Sequence, residues 1–281
     1  IGIVEYKYRI NWSQVEFKNR IEDIEHPIVR EALRLMEIDF PIEVTTFADI
    51  PAGTGLGSSS SFAVGLMHAL YALKGQYVTK YTLAESAAQI EINILKRTMG
   101  KQDHYAASYG NLNIFTFQPD ESVVVEPVFY QMEVKNTLDD NLMLFYTKLK
   151  RDASEVLKTQ NRAISKKRKV LQKMRDLVHP LKDVLSGKNN VNVFGEILHK
   201  NWMLKKSITD QVSSAKIDVY YDKAIAAGAI GGKLLGAGGG GFLLFYVEKK
   251  NQNSVREVLS ELYELKFELD TDGTRITYYD Q

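Results

Sequence analysis

Two periods organise the hydrophobic positions of the chain. Ile3–Trp12 and Pro41–Phe47 alternate apolar with polar residues, which predicts strands. Between them HPIVREALRLMEI sets Ile28, Ala32, Leu33 and Met36 at helical spacing. FAVGLMHALYALKG continues a second helix from near Ser58, with Gly75 a suitable residue just past its end. Thr82 to Met99 reads as a third helix, GKQDHYAASYG as a loop, and LNIFTF, VVVEPVFY and LMLFYT as strands. From Ala153 the pattern turns helical again, with Ile164, Leu171, Met174, Val178, Leu181 and Leu185 in period and Pro180 expected to kink or split the helix. The end reads as a strand (GFLLFYV), a helix (SVREVLSELYEL) and a hairpin (KFELDTDGTRITYY) turned at Asp272 and Gly273. That succession predicts a small α+β layer, and a domain boundary is expected near residues 132–140, where NTLDD follows the strand-rich half.

Composition narrows the function classes. The 281 residues suffice for one large or two modest domains. With 36 Lys+Arg against 35 Asp+Glu, a general polyanion-binding surface is not favoured, so no nucleic-acid partner is expected. The chain has no cysteine, which excludes disulfides, thiolate nucleophiles and sulfur-ligated zinc, and suits an intracellular, cytoplasmic protein. Its longest apolar run, FLLFYV, is too short to cross a bilayer, and no signal peptide is expected. The chain starts at Ile1 without an initiating Met, and an upstream segment is expected to be missing.

The chemistry concentrates in two glycine-rich stretches and two carboxylates. PAGTGLGSSSS, residues 51–61, joins a strand to a helix with Gly53, Gly55 and Gly57 at alternate positions. Glycine permits positive φ and close backbone approach, and the following helix adds unpaired N–H groups; together these cradle a phosphate. LGAGGGGF contains a G-x-G-x-x-G pattern but runs into a strand where a dinucleotide site needs a helix, and the Walker pattern is absent. A glycine run beside a buried strand costs roughly 0.5–1 kcal/mol per position, so close approach to a ligand or to the first loop is the expected reason for it. Glu91 falls on the buried stripe with Ala84, Ala87 and Ile94 and needs a partner, for which a metal ion is a good candidate; the alternatives are pairing with a Lys or a place at the stripe edge. Asp103 follows in a polar loop between Lys101 and His104, as a turn residue or a general base. The basic run Lys166–Lys169 reads as a solvated helix face, and His26, His68, His179 and His199 as structural or surface residues.

Taken together, PAGTGLGSSSS, Glu91, GKQDHYAA and GGKLLGAGGGGFLLF resemble the GHMP kinases (galacto-, homoserine, mevalonate and phosphomevalonate kinases) over nearly the whole chain. Within that family GKQDHYAASYGNLN, FYTKLKRDASEVL and HKNWMLKKS look most like the bacterial D-glycero-D-manno-heptose 7-phosphate kinases. The resemblance implies a two-domain α+β fold: residues 1–135 as an N-terminal mixed α/β domain with the phosphate loop, and 136–281 as a ferredoxin-like α+β domain. It implies ATP and Mg²⁺, with Pro51, Gly53, Thr54, Gly55, Leu56, Gly57, Ser58 and Ser59 around the nucleotide phosphates, Ser59 and Glu91 on the metal, and Asp103 as base. Lys101, Thr147, Arg151, Lys233, Gly238, Gly239 and Gly240 are the residues expected at the acceptor or its 7-phosphate.

The reaction it implies is phosphorylation of the anomeric hydroxyl of heptose 7-phosphate, in nucleotide-activated heptose synthesis for bacterial surface polysaccharide. A homodimer is admissible. The family's first motif, an N-terminal strand and glycine-rich turn with a basic helper, has no counterpart in these residues. Two alternatives stand beside this reading: a GHMP kinase for galactose, fucose or mevalonate, and a non-catalytic sensor of nucleotide or sugar.

Overall fold

The computed structural model describes residues 5–149 and 153–280, without the side chains of 153–155 and 164–165. Contacts divide the chain into two compact units: 1–52, 57–110 and 272–281 in the first, 53–56 and 111–271 in the second.

In the first unit β1 (Tyr8–Asn11) pairs antiparallel with β2 (Val15–Lys18) and parallel with β3 (Ile42–Thr45). Helix α1 (Pro27–Leu35) makes the crossover between the parallel strands. Its start is set by Pro27, whose missing N–H costs nothing there, and by His26, whose Nδ1 accepts from the Val29 N–H at 3.3 Å. Helices α2 (Ser58–Leu73) and α3 (Lys80–Ala88) complete the core, in which Tyr8, Ile10, Val29, Leu33, Val64, Met67, Ala87 and Ile90 are buried together.

Two departures from expectation lie in this unit. The helix expected over 82–99 changes at Gln89–Ile94 into a π turn, with Leu95 N–H donating to Ile90 O. The extra residue in that turn rotates the positions after it, so Glu91 is fully buried while Ile94, on the same expected stripe, is 39% exposed. The loop expected at GKQDHYAASYG is instead a helix, α4 (Gln102–Tyr109). Its buried positions are His104, Tyr105 and Ser108, and polar residues at helical spacing leave no hydrophobic period to read.

The second unit contains the hairpin β4 (Asn113–Phe117) with β5 (Val123–Pro127), then α5 (Met132–Asn141) and β6 (Leu142–Tyr146). Helices α6 (Ala153–Arg175), α7 (Val178–Leu185), α8 (Val193–Lys206) and α9 (Ala215–Ala226) come next. β7 (Gly231–Leu234), β8 (Phe242–Tyr246), α10 (Gln252–Val258) and β9 (Tyr263–Leu265) close the unit. Its main sheet is antiparallel in the order β7-β8-β6-β9. One face packs Met143, Phe145, Leu243 and Phe245 against Trp202, Tyr220, Tyr221 and Val255 of the helices. The other packs Tyr246, Leu142 and Leu244 against Leu138, Leu181 and Leu198. This is the α+β arrangement expected.

The expected boundary at 135/136 does not coincide with the compact units. The hairpin side chains Leu112 and Ile114, with Val128, pack with Leu138 and Tyr246, which puts the division at 110/111. NTLDD is part of α5, because Leu138 is buried on the sheet. The expected C-terminal hairpin does not form among the described residues. β9 pairs with β6, and the residues beyond it bond to α4 and α3: Thr274 N–H donates to Ala107 O, and the Lys80 side chain donates through Nζ to Asp272 O at 2.7 Å.

Candidate active site

The loop at 51–59 owes its shape to its glycines. Gly53, Gly55 and Gly57 have φ of 77°, 80° and 70°, so the alternation seen in sequence marks three left-handed positions. Gly57 is the N-cap of α2 and contributes no side-chain cap, which leaves the first N–H groups of the helix to an outside acceptor. Ser58 and Ser59 occupy that first turn, half-buried, while Pro51 is exposed and Thr54 buried.

Residues 53–56 pack against the second glycine stretch. A Cβ on Gly236 would stand 2.5 Å from Gly55 Cα, and one on Gly241 would stand 2.1 Å from Thr54 O. The run itself is anchored from several sides. Lys205 Nζ donates to Gly236 O, Gln160 Nε2 to Ala237 O at 2.8 Å, and Gly239 N–H to Val212 O at 2.9 Å. Cβ atoms on Gly238 and Gly240 would meet Val212 O at 2.7 Å and Leu149 O at 2.4 Å. Backbone approach therefore explains both glycines without a ligand.

Of the residues expected at the acceptor, Thr147 is buried, and its hydroxyl donates to Gly241 O at 2.7 Å while accepting from Leu149 N–H at 3.3 Å. It holds the glycine run in place and has no second proton to donate. Lys233 on β7 is half-buried and has neither hydrogen bond nor ion pair among the described residues; burial pushes its pKa below the usual lysine value. Arg151 lies outside the described residues.

In the first unit, a buried charge cluster surrounds Glu91. Its Oε1 accepts from Arg97 Nη1 at 2.5 Å and its Oε2 from His104 Nε2 at 2.8 Å. The Ser59 hydroxyl donates to the same carboxylate. Burial alone would raise the pKa of Glu91, but the hydrogen bond and charge of His104, the Ser59 hydroxyl and the Arg97 charge together hold it below the ordinary carboxylate value. Glu91 is neither paired with a Lys nor placed at a stripe edge: it is fully buried, and its partners are Arg97 and His104, which the sequence did not single out for it. Arg97 lies beyond the helix end: the chain reverses at Lys96, whose φ is 53°, and the Arg97 N–H donates to Glu91 O at 2.9 Å, which returns the guanidinium to the Glu91 carboxylate.

The donor set also suits Mg²⁺, which takes one or two carboxylate oxygens and completes its shell with water and substrate phosphates. The hydroxyl of Ser59 and the carboxylate of Glu91 adjoin, and three donors leave one carboxylate lone pair open. No group of three or more His, Asp or Glu able to hold a metal by itself exists among the described residues.

Asp103 stands in the first turn of α4, and its side chain lies against Gly57: an added Cβ there would be 3.3 Å from both Cβ and Cγ of Asp103. Its neighbour Lys101 is paired with Glu85 at 2.9 Å, and the Tyr105 hydroxyl donates to Glu85 as well, at 2.5 Å. Lys101 therefore places its charge on Glu85, a residue absent from the sequence expectations.

Two domain families match the chain in the order of this layout. The GHMP kinases N terminal domain matches residues 27–111 and the GHMP kinases C terminal domain residues 181–265, together more than half of the chain. The chain belongs to the GHMP kinase family. Among curated relatives of this GHMP kinase is the D-glycero-alpha-D-manno-heptose 7-phosphate kinase of Campylobacter jejuni, 29% identical over 238 residues, which covers 82% of this chain and 69% of that protein. A galactokinase of Pyrococcus furiosus is 26% identical over 248 residues, covering 78% and 68%. A crystal structure of a D-glycero-D-manno-heptose 1-phosphate kinase from Bacteroides thetaiotaomicron shares the fold with a TM-score of 0.71 at 23% identity, over 100% of this chain and 86% of that one. A mevalonate kinase structure does so with a TM-score of 0.74 at 18% identity, over 97% and 88%. No helix among the described residues is long and apolar enough to cross a membrane.

Proposed function

We propose that this GHMP kinase transfers the γ-phosphate of ATP to the anomeric hydroxyl of D-glycero-D-manno-heptose 7-phosphate. The observation that carries a kinase reading is the placement of the Asp103 carboxylate against Gly57, the residue that opens the uncapped N-terminus of α2. A base beside a phosphate-binding helix end is the arrangement that phosphoryl transfer to a hydroxyl needs. The choice of heptose rests on the Campylobacter relative and on the motif resemblance.

In this reading the N–H groups at the start of α2 and the backbone of Gly53–Gly57 bind the nucleotide phosphates. Asp103 accepts the proton of the acceptor hydroxyl as its oxygen bonds to the γ-phosphorus and the bond to the ADP oxygen breaks. Ser59 and Glu91 would hold Mg²⁺, which when bound supplies charge neutralisation on the phosphates. Gly236–Gly241, through Gly55, fixes the shape of the loop.

The test is turnover with ATP on a panel of heptose 7-phosphate, galactose, fucose and mevalonate, with the phosphorylated position read by ³¹P NMR. The heptose should give the highest kcat/KM and a 1-phosphate product. A preference for another acceptor would move the chain elsewhere in the family, and nucleotide binding without turnover on any acceptor would favour a sensor.

A further inference from the structure

We propose that His104 is a positioning residue that sets the Asp103 carboxylate against the phosphate loop by pinning α4 to Glu91. This rests on the reading of Asp103 as the base.

His104 and Glu91 are both fully buried, on different elements, and joined by one 2.8 Å hydrogen bond. An ionised carboxylate only accepts, so Nε2 carries the proton. The other ring nitrogen, Nδ1, has no hydrogen-bond partner among the described residues. A buried imidazole that leaves one nitrogen unsatisfied is destabilising relative to a fully paired or apolar side chain. Volume alone would be better met by leucine or phenylalanine. What the ring contributes is its single directed bond to Glu91.

That bond closes a ring of contacts. Gly57 and Ser59 are two residues apart at the start of α2, and Ser59 donates to Glu91. Glu91 accepts from His104, and one peptide bond separates His104 from Asp103, whose side chain returns to Gly57. Consecutive helical residues point about 100° apart, so fixing the imidazole fixes the rotation of α4 about its axis and with it the direction of Asp103. Glu91 is itself held by Arg97 and by the π turn, which makes it an anchor that does not move with α4. Lys101 and Tyr105 restrain the same turn through Glu85, a residue of α3. His104 instead ties α4 to a carboxylate that also receives the hydroxyl of the phosphate-loop helix. Misplacing a reacting group by about 1 Å costs on the order of 10²-fold in rate.

The test compares His104→Gln, whose amide nitrogen overlies Nε2, with His104→Asn, whose amide falls at Nδ1 and out of reach of Glu91. The two are equally polar and similarly buried. The Asn variant should lose at least about tenfold in kcat, with KM for ATP within about twofold, and the Gln variant should recover most of the loss. Amide hydrogen exchange over residues 101–106, measured without nucleotide or metal, should quicken in the Asn variant and stay near wild type in the Gln variant. Equal activity and equal exchange in the two variants would overturn the proposal. An Asp103→Asn enzyme of full activity would instead remove the base reading, while the exchange comparison would still decide whether His104 pins α4.

Discussion

A single carbon added to Gly57 would come within 3.3 Å of Asp103 Cγ. The residue that opens α2 and the carboxylate proposed to take the acceptor's proton therefore leave too little room for a methyl group between them, and the glycine is needed twice over. Its φ of 70° is left-handed, and a side chain there would be crowded by Asp103.

Gly57→Ala is accordingly expected to cost about 1–2 kcal/mol of stability through φ alone. It should lower kcat by at least about tenfold, because Asp103 must shift by a few tenths of an ångström or more to admit the methyl group. Thermal unfolding and steady-state kinetics on the same preparation would check both effects. A variant with normal kcat would show that the contact with Asp103 has no bearing on turnover.

Asp103→Asn keeps shape and hydrogen bonding but accepts no proton. Turnover should fall at least about hundredfold while the affinity for ATP is retained. The measurement is kcat with saturating acceptor alongside calorimetric titration with a non-hydrolysable nucleotide.

Thr147→Val separates two roles for a residue first expected at the acceptor. Its hydroxyl is engaged with Gly241 O and Leu149 N–H, so removal should destabilise the protein by roughly 1–2 kcal/mol and slow turnover through the glycine run. Melting temperature and kcat should fall together. A loss confined to the acceptor KM, at unchanged melting temperature, would restore Thr147 as a ligand contact.

Lys233 leads to a prediction with a defined sign in pH. Burial depresses its folded-state pKa below 10.5, its ordinary value. Between the folded and the unfolded pKa the unfolded chain holds more protons, so this group's contribution to stability rises with pH through that window. The cost is complete below the folded pKa. Lys233→Met should thus raise the melting temperature near neutral pH, and the advantage should shrink as pH approaches 10.5. If Lys233 meets the acceptor's phosphate, the same variant should raise the acceptor KM and leave the KM for ATP alone.

Legibility in the sequence varies by element. The strands at 42–45 and 242–246 and the helix at 58–73 stand in the hydrophobic period, and the three alternate glycines are the three left-handed positions of the loop. Helix α4 gives no such signal because His104 and Ser108 fill its buried face. Helix α5 is hidden because Leu138 is embedded in NTLDD, whose composition is that of a turn. Arg97 could not have been paired with Glu91 by helical spacing, since it lies past the helix end, after a reversal at left-handed Lys96 where no glycine marks the turn.

The local conformations of this protein, and the residue types that a phosphate loop and a base require, were determined by the sequence alone, because φ preference, helix period and titratable chemistry are properties of single residues and their near neighbours. The assignment of partners was decided only by tertiary structure: Glu91 to Arg97 and His104, Lys101 to Glu85, Thr147 to Gly241, and the tail at Thr274 to Ala107. Buried charges and backbone groups must each find a complement, and which complement lies within about 3 Å is set by the packing of elements far apart in the chain.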